Sequence, residues 1–123
     1  MKIALPAVVF ALMGQTALAG DTALWVLATV DGVAAGYVAT LDLSQEGRLT
    51  GQAPCNRYFA DMALQAEALD LGPIGATKMA CEAMQGESDY FATLGQMDSL
   101  IRSEGALTLR GAGHEMVFAP QAD

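Results

Sequence analysis

From Gly36 to Leu43 the chain alternates, with Tyr37, Ala39, Leu41 and Leu43 on one face and Val38, Thr40 and Asp42 on the other. A period of two marks a strand with one buried side, because successive side chains point to opposite faces of the pleat. Upstream, Thr22 to Val30 reads as a short β-branched and aromatic strand. Asp31-Gly32 behind it is a two-residue hairpin signal, since both turn positions need positive φ. Ser44 to Gly47 is a polar turn, and Arg48 to Gly51 resumes an extended chain that Pro54 ends, having no N–H for a ladder. Ala68 to Leu71 is another short apolar run closed by Gly72-Pro73, with Ile74 to Ala76 continuing it. Two alternating runs, Ala106 to Arg110 and Glu115 to Ala119, flank Gly111-Ala112-Gly113-His114, whose glycines allow a hairpin loop.

The period changes after Cys81. Tyr90, Leu94, Met97 and Ile101 recur at helical spacing, and Phe91 widens the stripe. Glu87 and Asp89 in the first turn and Arg102 in the last complement the helix dipole, and Gly105 stands as the C-cap. The pattern predicts one helix over residues 84–102. Strands and helix together predict an α+β domain, a mainly antiparallel β-sheet, curved or barrel-like, with the helix packed on its open face.

The first nineteen residues read differently. Lys2 precedes an almost wholly apolar stretch, Ile3 to Met13, and Ala17-Leu18-Ala19 is the small-x-small pattern cut before Gly20. The apolar run, about eleven residues, falls short of the roughly 20 that span a bilayer. A signal peptide over residues 1–19 and a domain over residues 20–123 are therefore expected, with no membrane span after cleavage. Asp21 stands where a lipoprotein box carries its Cys, so the expected product is periplasmic or secreted and not lipidated.

Charge narrows the partners. The 123 residues hold 14 Asp plus Glu against 6 Lys plus Arg, a net charge of −8, and losing Lys2 with the leader makes it −9. Arg48, Arg57, Lys78, Arg102 and Arg110 are scattered, so nucleic acid and anionic membrane surfaces are repelled.

Candidate chemistry is sparse. Cys55 and Cys81 are the only thiols, in a chain addressed to an oxidising compartment. A structural disulfide is the leading reading, with a reactive pair or two reduced buried thiols as alternatives. His114 is the only imidazole and sits in a Gly-rich turn, so a three-ligand zinc site of His and carboxylates cannot be assembled, and a solvated turn residue is expected. Asp42, Ser44, Glu46 and Gly47 resemble the start of a calcium loop, but the twelfth position is Ala53 and not a bidentate Glu, so a plain turn is expected. No phosphate-cradling or nucleophile-elbow motif is present, and no cofactor is expected. Met79, Met84 and Met97 are read as core filling before binding surface.

The order of short motifs resembles the META domain, the HslJ-like family of small bacterial envelope proteins. The resemblance runs from Trp25-Val26-Leu27 and Gly32 through Gly51 to Tyr58, which contains Cys55-Asn56-Arg57, and then Leu69 to Ile74. It is densest at Thr77-Lys78-Met79-Ala80-Cys81 and continues through Glu87, Phe91 and Leu94 to Leu107–Leu109 and Met116–Phe118. Pro54 stands where members commonly have Gly. The resemblance implies a compact α+β domain of the envelope, linked to heat or antibiotic stress, and no catalytic residues. It also marks Asn56, Arg57, Thr77 and Lys78 as motif positions, expected to organise the loops around the cysteines by hydrogen bonding, with ligand contact as the alternative.

The resulting expectation is a non-enzymatic envelope protein that binds another envelope component. The alternative is an inhibitor of a cationic secreted hydrolase, lysozyme-like or a protease, with charge complementarity speeding encounter. A third reading, thiol redox activity, requires Cys55 and Cys81 to cycle.

Overall fold

The computed structural model describes residues 23–121. The expected leader, its cleavage point before Gly20 and the Thr22 start of the first strand lie outside the described residues.

The chain opens as expected with a hairpin, β1 (Leu24–Val30) and β2 (Val33–Ala34), turning on Asp31 and Gly32 at φ 53° and 82°. The second strand is much shorter than the alternation suggests. Only β3 (Thr40–Asp42) is strand, because β2 and β3 share one edge of β1 and the chain between them must loop out. The face still holds: Ala39 and Leu41 are fully buried and Val38 is exposed. The polar turn leads into β4 (Arg48–Gln52), which stops before Pro54 as expected.

The longest strand, β5 (Arg57–Gln65), was not expected. Its Ala and Asp have low strand propensity, yet Tyr58 and Ala60 alternate inward with exposed Arg57, Phe59 and Asp61. It pairs with β4, with β6 (Ala68–Leu71) and with β7 (Gly75–Ala76), so residues 74–76 do not extend β6.

The expected helix is corrected from 84–102 to α1, Met84–Leu94. Gly95, and not Gly105, is its C-cap, and the Gln96 and Met97 amides donate to the Thr93 and Leu94 carbonyls as the last turn tightens. The chain beyond becomes β8 (Ser99–Ser103) because pairing with β9 (Ala106–Gly111) sets Leu100 against Leu109 in the core. Arg102 is therefore a strand residue, its guanidinium 6.0 Å over the Trp25 ring. Gly105, at φ 83°, lies in the β8–β9 turn. Met97 is buried as the stripe implied, but from the connection between α1 and β8. The last hairpin joins β9 to β10 (His114–Pro120) through Ala112-Gly113, a two-residue turn in place of the four-residue loop.

Strand order is β10-β9-β8-β6-β5-β4-β3-β1, and β1 pairs back with β10 from Trp25–Pro120 to Val30–Met116. The sheet is thus a closed antiparallel barrel. The fold is mostly β, and no open face remains for the helix. Trp25, Leu27, Leu41, Leu49, Phe118 and their neighbours fill the interior. Closure leaves a helix access to that core only across an end of the barrel, and Tyr90 and Leu94, both fully buried, point inward from α1. Among the described residues no helix is long and apolar enough to cross a membrane.

Candidate functional site

Two features meet on β4 and β5: a buried polar knot beneath the motif residues and a groove on the outer wall beside them. Cys55 in the β4–β5 turn is disulfide-bonded to Cys81, which ties the turn to the segment leading into α1. Next to it Asn56 and Glu87 are 3% and 4% exposed, the two buried polar residues of the described chain. Glu87 Oε1 accepts the backbone N–H groups of Cys55 and Asn56, both at 2.8 Å, and Oε2 accepts Asn56 Nδ2 at 2.6 Å. All three partners are donors, the set that suits an ionised carboxylate, an acceptor-only group.

Asn56 uses its whole amide. Nδ2 also donates to the Met79 carbonyl, and Oδ1 accepts the Met79 N–H and the Thr77 hydroxyl, at 2.6 and 2.8 Å. Thr77 Oγ1 in turn accepts the Arg57 amide at 3.2 Å. The structure therefore brings Asn56 and Thr77 together and places Arg57 beside them with its side chain outward, while Lys78 is exposed. The helix pattern gives Glu87 a dipole-complementing role and the motif order includes it, but neither assigns it these buried partners. The overlooked signal is that it sits three residues before Tyr90 and seven before Leu94, a carboxylate on the apolar stripe.

His114 is exposed but not alone. Its Nδ1 lies 2.8 Å from Asp31 Oδ2, and Asp31 Oδ1 accepts the Glu115 amide, linking the β1–β2 and β9–β10 turns. The Glu115 N–H foremost, and His114 after it, hold the Asp31 carboxyl below the usual carboxylate range. Asp42 Oδ1 accepts the Ser44 amide, a turn bond that accounts for the calcium-like run. Among the described residues no group of His, Cys, Asp and Glu is placed to hold a metal ion. Met97 is in the core, whereas Met79 and Met84 are exposed.

The groove arises where β3 and β4 part. Their ladder has one registered pair, Asp42–Thr50, and continuing it would set Thr40 against Gln52. Instead the Gln52 amide donates to Thr40 Oγ1 at 2.9 Å, and the Thr40 carbonyl accepts the Tyr58 hydroxyl at 2.7 Å. Tyr58 reaches the seam past Gly51, where an added Cβ would lie 2.7 Å from the Tyr58 hydroxyl oxygen. The Tyr90 hydroxyl sits 2.7 Å from that of Tyr58, and the rings pack edge to face at 5.5 Å. Burial raises both phenols above their ordinary pKa, so they stay neutral hydrogen-bonding groups.

Over this seam lies an open groove of about 540 Å³. Leu24, Asp42, Thr50 and Phe59 follow one another across β1, β3, β4 and β5 in register. A second row carries Thr40, Gln52 and Arg57, with Thr77 beyond. Leu24 and Phe59, 43% and 45% exposed, form apolar walls, and the Arg48 guanidinium 5.4 Å from the Phe59 ring helps to fix it.

A family model described as META domain matches residues 16–123. The chain belongs to the META domain family. The META-domain chain is also similar to a solved protein from Burkholderia xenovorans, determined by NMR, at 29% identity and a TM-score of 0.66. That match covers 89% of this chain and 88% of the other. Comparison with curated proteins gives no match.

Proposed function

We propose that this META-domain protein is a non-enzymatic binding domain of the cell envelope, exported without a lipid anchor to the periplasm or medium. It serves tolerance of heat or antibiotic stress by binding another envelope component through the groove over the β3–β4 seam. The observation that carries this reading is the position of Arg57 and Thr77, two family-motif residues, along that groove. The Glu87–Asn56 knot and the disulfide hold the same segment from beneath. Contact groups fixed in advance lose little freedom on binding, which favours recognition.

The test is a photo-crosslinking side chain in place of Gln45, at the groove, in protein exported by its own leader in living cells. A discrete cross-linked species, weakened by Arg57→Ala with Phe59→Ala, is expected. Labelling no stronger than from a probe at exposed Glu104 overturns the groove reading. For the stress role, a deletion strain is expected to lose survival under heat or antibiotic and to regain it with the native protein only.

A second reading, inhibition of a cationic secreted hydrolase, is favoured by the β5–β6 hairpin, whose residues 63–68 are all exposed and carry Glu67 at the turn. A panel of lysozyme-like enzymes and proteases unaffected by micromolar protein rules it out.

A further inference from the structure

We propose that the groove takes a short neutral oligosaccharide, an inference that rests on the binding reading above and gives it a ligand class. Charge speaks first. In a chain of net charge −8, the groove is lined by one cation, Arg57, and one anion, Asp42. With one charge of each sign in the groove, an ionic ligand of either sign meets a like charge there, and the acidic protein as a whole repels an anion further.

The functional groups then narrow the class. Gln45, Gln52, Asp42 and Arg57 offer planar amide, carboxylate and guanidinium groups, and Thr50 adds a hydroxyl. Planar groups with adjacent donors or acceptors match the neighbouring hydroxyls of a sugar ring, each of which both donates and accepts. Thr40 Oγ1 already accepts the Gln52 amide, which leaves its proton free to be donated. Leu24 and Phe59 stand three strand spacings apart, roughly 14 Å at about 4.8 Å per strand. That is room for more than one sugar ring, with an apolar wall for C–H faces at each end and polar groups between.

Competing ligands fit less well. Strand addition by a peptide needs a row of free N–H and C=O groups along a sheet edge, whereas the floor here is the face of β3, β4 and β5. An acyl chain would bury the hydrogen-bonding groups between the two walls without partners, which is costly.

The experiment is an amide NMR titration of the disulfide-intact protein with chitotriose and maltotriose at millimolar concentration, with trialanine and inorganic phosphate as comparison probes. Saturable shifts from at least one sugar, confined to Leu24 and its neighbours, residues 40–52, 57–59 and Thr77, are expected. Phe59→Ala and Gln52→Ala, both at exposed positions, should each weaken binding about tenfold, the size of one good aromatic or polar contact, while amides far from the groove stay in place. No saturation by either sugar, or saturation by trialanine or phosphate instead, overturns the oligosaccharide. If both sugars fail while the Gln45 probe still captures an envelope protein in cells, the sugar class is wrong and the groove reading stands. Failure of both experiments overturns both.

Discussion

Glu87→Gln tests the buried knot most directly, because it keeps the shape of the side chain and changes one atom's hydrogen-bonding sense. Gln can still offer its carbonyl oxygen to the Cys55 and Asn56 amides, as Oε1 does now. Its NH₂ group then replaces Oε2 and faces Asn56 Nδ2, donor against donor, across a 2.6 Å contact. Asn56 cannot escape by rotating its amide, since Oδ1 is held by the Met79 N–H and the Thr77 hydroxyl. A lost charge-assisted bond with an unpaired buried donor should cost about 2–3 kcal/mol, or roughly 10–20 °C in Tm for a domain of this size. Glu87→Ala, which orphans both backbone amides as well, should cost about 3–5 kcal/mol, several buried donors losing their acceptor at once. Urea denaturation followed by Trp25 fluorescence measures both, since Trp25 is the single Trp and is 3% exposed. Replacing both cysteines by Ser should cost roughly 3–4 kcal/mol from loop entropy. Combined with Glu87→Gln it should cost less than the sum, because both hold the Cys55–Asn56 turn. A Glu87→Gln variant within about 0.5 kcal/mol of the native protein, the range of ordinary surface changes, would refute the account of the knot.

Alkaline pH tests the tyrosine seam. Burial raises Tyr58 and Tyr90, so their neutral forms stabilise the fold fully below about pH 10, where unfolded tyrosines titrate, and that stability is lost as pH rises towards the folded values. Tyrosinate absorbance from these two is expected to appear together with loss of the barrel's circular dichroism, and tyrosinate forming in an intact fold counts against burial. Gly51→Ala puts a Cβ against the Thr40 carbonyl and the Tyr58 hydroxyl. A loss of about 1–3 kcal/mol is expected, and an unchanged urea midpoint would mean that the strands can part further at no cost. Ala66, in the β5–β6 turn, holds φ 56°, a conformation costing an L residue roughly 1–2 kcal/mol. After glycine's own entropy cost, Ala66→Gly should raise stability by about 0.5–1 kcal/mol, and a lowered urea midpoint would contradict this.

What the sequence determined by itself is what local chemistry enforces. Asp31-Gly32 specifies its turn because both residues accept positive φ, Pro54 ends β4 because it lacks an N–H, and Ala39 and Leu41 face inward because their period is two. Two cysteines, the only two in the sequence, carried the disulfide, and the motif order carried the family. Tertiary structure decided the rest. Residues 99–103 are strand although their spacing also fits a helix, because β9 offers Leu100 a partner that a longer helix would forfeit. β5 forms despite weak propensity because strands on both sides supply its hydrogen bonds. Glu87 can be spent inside only because folding brings the Cys55 and Asn56 amides, some thirty residues away in sequence, to within 2.8 Å of it. The groove depends on a phenol inserted between two strands past a glycine, a contact among Thr40, Gly51 and Tyr58 that no local pattern encodes. Propensity and periodicity act over a few residues, whereas pairing partners and buried donors are supplied by chain closure.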